Sequence, residues 1–207
     1  LATDWRQTSP TVWRFNLRKN VKFHDGTPFT ADDVIFSYER SKGDGSDMKA
    51  YVGQIKEIVK INDHAVDFVL TAPFPILPER LYSWMIMSKK WCETNNATKP
   101  VDRRKGIENT ASFKANGTGP FMAKERQPNI RSTFTRNPNY WGKVEGNVDE
   151  VIFTTIGNDS TRVAALLSGE VDVMEWVWEL QNVMRSSLHR KSRSRLSQRE
   201  MQSNFSS

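Results

Sequence analysis

The sequence predicts an α/β fold, because strand and helix patterns alternate in three places along its 207 residues. A strand, a turn and a capped helix follow one another in residues 11–40. Two short apolar runs in residues 55–71 have the form of a hairpin. A strand–helix–strand pattern follows at residues 150–175. We find no internal repeat and no heptad pattern that would favour a different fold class.

The first strand is indicated by strict alternation of apolar and polar side chains in residues 13–18, WRFNLR. A period of two places Trp13, Phe15 and Leu17 on one face of the strand. Asp25-Gly26 then predicts a turn, since glycine adopts positive φ without steric cost.

The helix after this turn has a recognisable N-terminus. Thr30 and Asp33 stand in the spacing of a capping box, in which each residue accepts a hydrogen bond from the backbone of the other. Phe29 and Val34 occupy the flanking positions of a hydrophobic staple. We expect the helix to end near Arg40, and to bury Val34, Ile35 and Tyr38.

The hairpin is predicted from the runs IKEIVKI (55–61) and AVDFVLT (65–71), which are joined by Asn62-Asp63-His64. The segment that follows contains three prolines, which exclude a regular interior strand but allow a helix to begin after them. Residues 93–116 are polar, and we interpret them as a surface loop or linker.

The second half of the chain begins at Gly117. Strands at about 120–126 and 131–136 are expected to pair. In the strand–helix–strand of residues 150–175, Ser160 is the expected N-cap and Gly169 suits the end of the helix. A right-handed parallel crossover is the default connection for such a unit.

The positive charge is concentrated at the C-terminus. The chain has a formal charge of +6, and six Arg and Lys residues against one Glu give residues 181–207 a net charge of +5. The rest of the chain is therefore close to neutral, which argues against a nucleic-acid-binding surface. No stretch approaches the 18 or so apolar residues of a membrane span, and we expect no stable membrane insertion.

No catalytic or metal site can be assembled from the sequence. His24, His64 and His189 are scattered, and none has a Cys or carboxylate partner at metal-ligand spacing. His24 and Asp25 are adjacent, which in an extended segment points their side chains to opposite faces, and we interpret them as part of the turn. Cys92 is alone, and we interpret it as a buried or half-buried side chain rather than a nucleophile. We therefore expect no enzyme activity, no metal and no cofactor.

Two long blocks of the sequence resemble family 5 of the extracytoplasmic solute-binding proteins of ABC importers. The first is WRFNLRKNVKFHDGTPFTADDVIFSYER in residues 13–40. The second consists of GTGPFMAKERQPNIRSTFTRNPNYWG (117–142) and VDEVIFTTIGNDSTRVAALLSGEVDV (148–173). The resemblance covers roughly residues 1–178. The blocks are long and stand in the order in which the family has them.

The resemblance implies a periplasmic-binding-protein-like α/β fold of the class with an extra domain. Residues 1–115 would form the extra domain beside the first lobe, and residues 116–178 part of that lobe. Family members are more than twice as long, so the resemblance implies that only the N-terminal part is present and that the second lobe is missing.

The implied function is that of the substrate-binding component of an ABC transporter that imports peptides or related solutes. Its partners would be a peptide or small-solute ligand and the permease subunits in the membrane. We expect a monomer and, by resemblance, a periplasmic location, although the chain shows no signal peptide. Without a second lobe, the chain is expected to be truncated and inactive.

The resemblance carries over no ligand-binding residue, but it suggests two candidates. Tyr82 and Trp84 follow the proline-rich segment, at a place where family members bring a loop toward the cleft between the lobes. Aromatic side chains there could stack on a ligand. The favoured alternative is a core helix that buries Leu81, Met85 and Met87.

The Ser/Arg-rich residues 179–207 break abruptly with the family pattern. Their composition predicts disorder, since they cannot bury enough apolar area to offset the loss of chain entropy. We interpret the break as a reading-frame shift near Trp178. The alternative function for the chain is a non-catalytic interaction module whose basic tail binds an anionic partner.

Overall fold

The computed structural model describes residues 1–174. The chain divides into two compact units, Leu1–Thr154 and a second unit that starts at Thr155. The first unit contains two antiparallel sheets, and the described part of the second contains one helix. The predicted Ser/Arg-rich tail lies outside the described residues.

The first sheet has four strands in the order β1-β2-β4-β3, all antiparallel to their neighbours. The predicted strand is β2, and the predicted hairpin is β3 and β4, so both predictions are confirmed. Strand β1 was not predicted, because most of its side chains are exposed and it lacks an apolar alternation. The strands are β1 (Ala2–Ser9), β2 (Val12–Leu17), β3 (Ile55–Asn62) and β4 (Ala65–Leu70).

Helix α1 (Ala31–Ser41) begins at the predicted capping box. The side chain of Thr30 accepts a hydrogen bond from a backbone N–H of the first turn, and the Asp33 carboxylate accepts one from the backbone of Thr30 at 2.8 Å. Phe29 and Val34, the expected staple, are both buried in the core. The helix ends one residue beyond the predicted Arg40.

The core of the first unit lies between this sheet and α1. Phe15 and Phe68, on adjacent strands, pack at 4.9 Å between ring centroids, and the edge of Trp84 packs on Phe68 at 6.2 Å. The Tyr38 hydroxyl donates to the carbonyl of Ile55 at 2.8 Å. The other fully buried apolar residues of this core include Val21, Phe29, Val52, Val66 and Leu77.

The side chains of Arg14 and Asp67 form a two-point ion pair across strands β2 and β4. The guanidinium Nε and Nη2 each lie 2.7 Å from a different carboxylate oxygen. The pair is partly exposed, and its fork-to-fork geometry fixes the register of the two central strands.

Short helices and loops connect the first sheet to the second. They are α2 (Lys49–Val52), α3 (Leu77–Arg80), a 3-10 turn at Leu81–Ser83, α4 (Lys89–Thr94), and 3-10 turns at Arg103–Lys105 and Thr110–Ser112. The loop predicted for residues 93–116 is confirmed for most of its length, but its first two residues belong to α4. The second sheet follows, with strand order β5-β6-β7.

Strands β5 (Phe121–Gln127) and β6 (Arg131–Arg136) pair antiparallel, as predicted, and β7 (Glu150–Thr154) joins the other edge of β6. All five residues of β7 are exposed.

Helix α5 (Asp159–Ser168) confirms the predicted helix but not all of its details. Its N-cap is Asn158, whose side chain accepts from the backbone of Thr161 at 3.0 Å, rather than Ser160. Gly169 adopts the predicted left-handed conformation, with φ of 78°. The predicted strand after the helix is absent from residues 169–174, where Val173 is exposed, so the described chain forms no parallel crossover.

Candidate ligand-contact loop

The two candidate residues, Tyr82 and Trp84, lie close in sequence but in opposite environments. Tyr82 lies in the 3-10 turn Leu81–Ser83 and is 90% exposed. Trp84 ends this turn with extended backbone and is only 8% exposed. The structure therefore leaves Tyr82 free to contact another molecule and makes Trp84 part of the core.

Trp84 is fixed by one polar and one aromatic contact. Its indole Nε1 donates to the Ser41 hydroxyl at 3.0 Å, and its ring meets that of Phe68 edge to face, with 87° between the planes. Such a buried indole with its N–H satisfied anchors the loop and is unavailable for stacking on a ligand.

The predicted core helix at these positions is wrong. Met85 is 66% exposed, and Leu81 and Met87 are only partly buried. A 3-10 turn of three residues followed by extended backbone does not continue the 3.6-residue period on which the prediction relied.

We call residues 84–89 the strap; it consists of residues 84–88, which have no regular secondary structure, and Lys89, the first residue of α4. Helix α1 holds the strap through three polar side chains. We call Asp33, Ser37 and Ser41 the polar stripe. All three are buried, and because they are four residues apart they lie on one face of the helix.

Each member of the polar stripe binds a different residue of the strap. Ser41 accepts from the indole of Trp84, as above. The Ser37 hydroxyl accepts from the backbone N–H of Met87 at 2.8 Å, and the Asp33 carboxylate accepts from that of Lys89 at 2.9 Å. The strap is thus attached at three points along its length, which also fixes the backbone that carries the exposed side chain of Met85.

Burial raises the pKa of the Asp33 carboxyl above its usual range, whereas its hydrogen bonds to Lys89 and Thr30 act in the opposite direction. A carboxylate in this position is costly to desolvate, and its hydrogen bonds to backbone N–H groups offset part of that cost.

Three exposed apolar side chains lie in the strap and in the segment just before it. They are Ile76, Tyr82 and Met85, which are 58%, 90% and 66% exposed. Arg80, between them, donates to the backbone of Ala50 at 3.0 Å and ties this region to α2. Rigid backbone that presents exposed aromatic and apolar side chains is suited to contacting the apolar parts of a ligand or partner.

Sequence reasoning found Tyr82 and Trp84 but missed the polar stripe. A partial signal was present, since polar residues stand at i, i+4 and i+8 on the same side of the helix as the apolar residues Val34 and Tyr38. The residues that the stripe binds lie far along the chain, and local pattern alone does not identify them.

The other residues considered for chemistry are the Asp25-Gly26 turn, Cys92 and the side chains that could bind a metal. Gly26 has φ of 84°, and Asp25 accepts from the backbone of Thr27 at 2.9 Å, so the predicted turn is confirmed. Cys92 is fully buried, also as predicted, and burial raises the pKa of its thiol to about 11. Within residues 1–174, no three His, Cys, Asp or Glu side chains cluster as metal ligands would.

None of the helices in the described part of the chain has the length and apolar character needed to cross a membrane.

Comparison with known proteins places these features in a family. The family model described as bacterial extracellular solute-binding proteins, family 5 Middle, matches residues 1–194. The chain is 29% identical over 198 residues to the dipeptide-binding protein of Escherichia coli strain K12, covering 85% of this chain and 36% of that protein. It is 28% identical over 185 residues to the nickel-binding periplasmic protein of the same strain, covering 84% of this chain and 32% of that one.

Solved structures agree with this result. NikZ from Campylobacter jejuni, in complex with Ni(L-His), superposes with a TM-score of 0.71 at 25% identity, over 83% of this chain and 33% of that one. The dipeptide-binding protein of Pseudoalteromonas sp. SM9913, in complex with Met-Leu, superposes with a TM-score of 0.69 at 27% identity, over 83% of this chain and 37% of that one. The chain therefore has the predicted fold, and it spans about a third of the length of the relatives it matches.

Proposed function

Because the chain belongs to the bacterial extracellular solute-binding proteins of family 5, we propose that it represents the substrate-binding component of an ABC importer for peptides or related solutes. The observation that carries this proposal is the family match over residues 1–194. Proteins of this family bind solutes rather than transform them. The location that follows is the periplasm, and the partner is a membrane permease.

Within this function, we assign ligand contact to Tyr82 and support to Trp84. Tyr82 exposes an aromatic ring on a loop whose backbone is fixed on both sides, by Arg80 before it and by Trp84 after it. A ring held in this way loses little conformational entropy when it stacks on a ligand.

The chain by itself should bind its ligand weakly. It spans about a third of its relatives, so it supplies at most part of the surface that encloses a solute. Association must first overcome several kcal/mol of lost translational and rotational freedom, roughly 4 kcal/mol or more. A partial surface offers too little burial and too few polar contacts to offset that loss.

The test compares the chain with a completed binding protein. Residues 1–174 would replace the matching part of the E. coli dipeptide-binding protein, and both the chain and this chimera would be titrated with the dipeptide Met-Leu by calorimetry. We expect no measurable binding by the chain and saturable binding by the chimera. A chimera that folds, as judged by circular dichroism and a cooperative thermal transition, but does not bind any of a panel of dipeptides would contradict the proposed function.

The role of Tyr82 is tested in the same chimera. Tyr82→Ala should weaken binding about three- to tenfold, since an aromatic contact contributes about that much, whereas Tyr82→Phe should bind within twofold or so because it keeps the ring. Ile130→Ala is the control, as Ile130 is also an exposed apolar residue, 61% exposed, but lies in the turn between β5 and β6. Equal affinity of Tyr82→Ala and the unmodified chimera would remove Tyr82 from the site and leave the proposed function standing.

The alternative, an interaction module with a basic tail, is supported by the charge of +5 in residues 181–207. It predicts that the chain sediments with anionic phospholipid vesicles and that deletion of those residues abolishes sedimentation. Binding of the intact chain to such vesicles, without binding of Met-Leu by the chimera, would favour this alternative.

A further inference from the structure

The turn at His24 and Asp25 is bonded to the segment of residues 116–119, and we call this contact the junction. Two hydrogen bonds join His24 and Gly117. The backbone N–H of His24 donates to the carbonyl of Gly117 at 2.8 Å, and the backbone N–H of Gly117 donates to Nδ1 of the His24 ring at 3.2 Å. Ring atom Nε2 lies 3.1 Å from the carbonyl of Gly119. Beside them, the side chains of Asp25 and Asn116 are bonded at 2.9 Å.

Both side chains of the His24-Asp25 pair therefore reach the same segment. The opposite-face rule holds for extended backbone, and it does not apply here because the chain makes the predicted turn at this point. A local sequence pattern gave no indication of the partner, which lies more than 90 residues further along the chain.

The junction joins the parts of the first unit that carry its two sheets. Phe23, next to His24, is buried in the core of the first sheet. Residues 116–119 lead directly into β5 of the second sheet, where the side chain of Asn137 donates to the same carbonyl of Gly119 at 3.0 Å. A change in the bonds of His24 would thus act where the chain passes from one sheet to the other.

The partners of the imidazole specify one protonation state. The carbonyl of Gly119 can only accept, so Nε2 must carry a hydrogen. The N–H of Gly117 can only donate, so Nδ1 must be free of one. The junction is therefore satisfied by the neutral Nε2–H tautomer. Protonation would place a second hydrogen on Nδ1, directed at the N–H of Gly117, and that bond would be lost.

We propose that His24 is a pH-sensitive latch, which binds the Gly117 amide when the imidazole is neutral and releases that amide when the imidazole is protonated, while the backbone bond from His24 N–H to the Gly117 carbonyl remains. Histidine is the side chain whose ordinary charge change falls between about pH 5 and 8. The charged groups around the junction are Asp25 on the same turn, exposed Lys22 just before it, and Arg18, whose guanidinium lies 4.6 Å from the ring centre of Trp141. Trp141 in turn donates to the carbonyl of Thr118 at 2.9 Å.

The direction of the pH effect follows from the hydrogen bonds of the His24 ring. With the neutral imidazole both ring bonds are present. With the protonated imidazole, Nδ1–H and the N–H of Gly117 are two opposed donors, while Nε2–H still donates to Gly119. The latch is therefore released toward acid pH and at Gly117 first. This behaviour does not depend on the proposed transport function.

The experiment measures hydrogen exchange of the Gly117 amide by NMR in the full chain at several values between about pH 5 and 7.5, corrected for the intrinsic chemical rate. Protection should fall about tenfold toward acid pH, the effect of losing one hydrogen bond, in step with the ¹⁵N shifts of the His24 ring. His24→Asn retains an acceptor near the position of Nδ1 but does not titrate, so its Gly117 amide should stay protected at all values. His24→Ala should be unprotected throughout. His64→Asn, in the turn between β3 and β4, is the matched control and should behave like the unmodified chain.

Two results would overturn the latch. One is a Gly117 amide whose corrected exchange stays constant while the His24 ring becomes protonated. The other is a His24 ring that remains neutral down to about pH 5, the lower end of the range in which imidazole acts as a switch. A pH dependence that disappears in His64→Asn would assign the effect to the other histidine and equally refute the proposal.

Discussion

The carboxylate of Asp33 accepts a hydrogen bond from the backbone N–H of Lys89 at 2.9 Å while it also accepts one from Thr30 at 2.8 Å. Thr30 is the N-cap of α1, and Lys89 is the first residue of α4. A single side chain therefore satisfies donors at the N-termini of two helices, which otherwise lack partners within their own helix.

Replacement of Asp33 by alanine should destabilise the chain by about 2–4 kcal/mol, because it leaves two backbone donors unsatisfied near the core. The measurement is the free energy of unfolding in urea. Asp32→Ala is the control: Asp32 is exposed, and its carboxylate forms a surface ion pair with Lys60, so its loss should cost about 1 kcal/mol or less. Equal losses in the two variants would mean that Asp33 acts only through its charge.

Trp84 and Tyr82 should respond to substitution in opposite ways. Trp84→Phe loses the bond to Ser41 and should cost about 1 kcal/mol, and Trp84→Ala, which also leaves a cavity, about 3–5 kcal/mol. Tyr82→Ala should change stability by no more than about 0.5 kcal/mol, since its side chain is exposed. Thermal unfolding followed by circular dichroism measures all three. A large loss for Tyr82→Ala would show that its ring packs within the chain.

The Cys92 thiol should make stability fall at alkaline pH. Burial raises its pKa from an ordinary 9.0 to about 11, so above pH 9 the unfolded chain releases this proton before the folded chain does. The free energy of unfolding should then decrease as pH rises from 9 to about 11, with a slope of at most about 1.4 kcal/mol per pH unit.

Other groups also titrate in this range, so the measured quantity is the difference between the unmodified chain and Cys92→Ala. That difference should diminish toward high pH. The folded thiol should in addition react with a disulfide reagent at about pH 8 only as fast as the chain opens. A constant difference, together with rapid reaction of the folded protein, would contradict the buried position.

Gly45 and Gly26 allow backbone strain and side-chain crowding to be separated. Both have positive φ, +79° and +84°. Nothing lies within 4 Å of a Cβ added at Gly26, whereas one added at Gly45 would meet Cβ and Cγ of Asp102 at 2.6 Å. Gly26→Ala should therefore cost only the strain of a left-handed alanine, about 1 kcal/mol. Gly45→Ala should cost a further 1–3 kcal/mol or so for the displacement of buried Asp102.

Urea unfolding of the two glycine variants, measured side by side, gives the comparison. Equal costs would mean that the loop at Gly45 moves freely away from Asp102.

The parts of the fold that sequence could predict are those defined by neighbouring residues. Thr30 and Asp33 are three residues apart, and their capping box is present as predicted. The N-cap of α5 shows the limit of such reasoning. Asn158 and Ser160 are both good capping residues, and only the position at which the helical backbone begins selects Asn158. Strand β1 was missed because most of its side chains are exposed, so its sequence lacks the apolar alternation by which a strand is recognised.

The candidate site was less predictable, because its geometry depends on distant contacts. Whether Tyr82 or Trp84 faces solvent depends on the shape of the turn between them, and an α-helix and a 3-10 turn direct the same residues differently. The contact that decides the matter, from Trp84 to Ser41, joins residues that are 43 positions apart. The spacing of apolar residues within one segment cannot predict a contact over that distance.

The dependence of the strap on α1 has a consequence for biosynthesis. The strap has no hydrogen-bonded repeat of its own, whereas helical turns form from local contacts alone and form quickly. Its conformation should therefore be acquired only after α1 offers the three side chains that hold it. Since α1 precedes the strap in the sequence, a chain that emerges N-terminus first exposes the polar stripe before it exposes the strap.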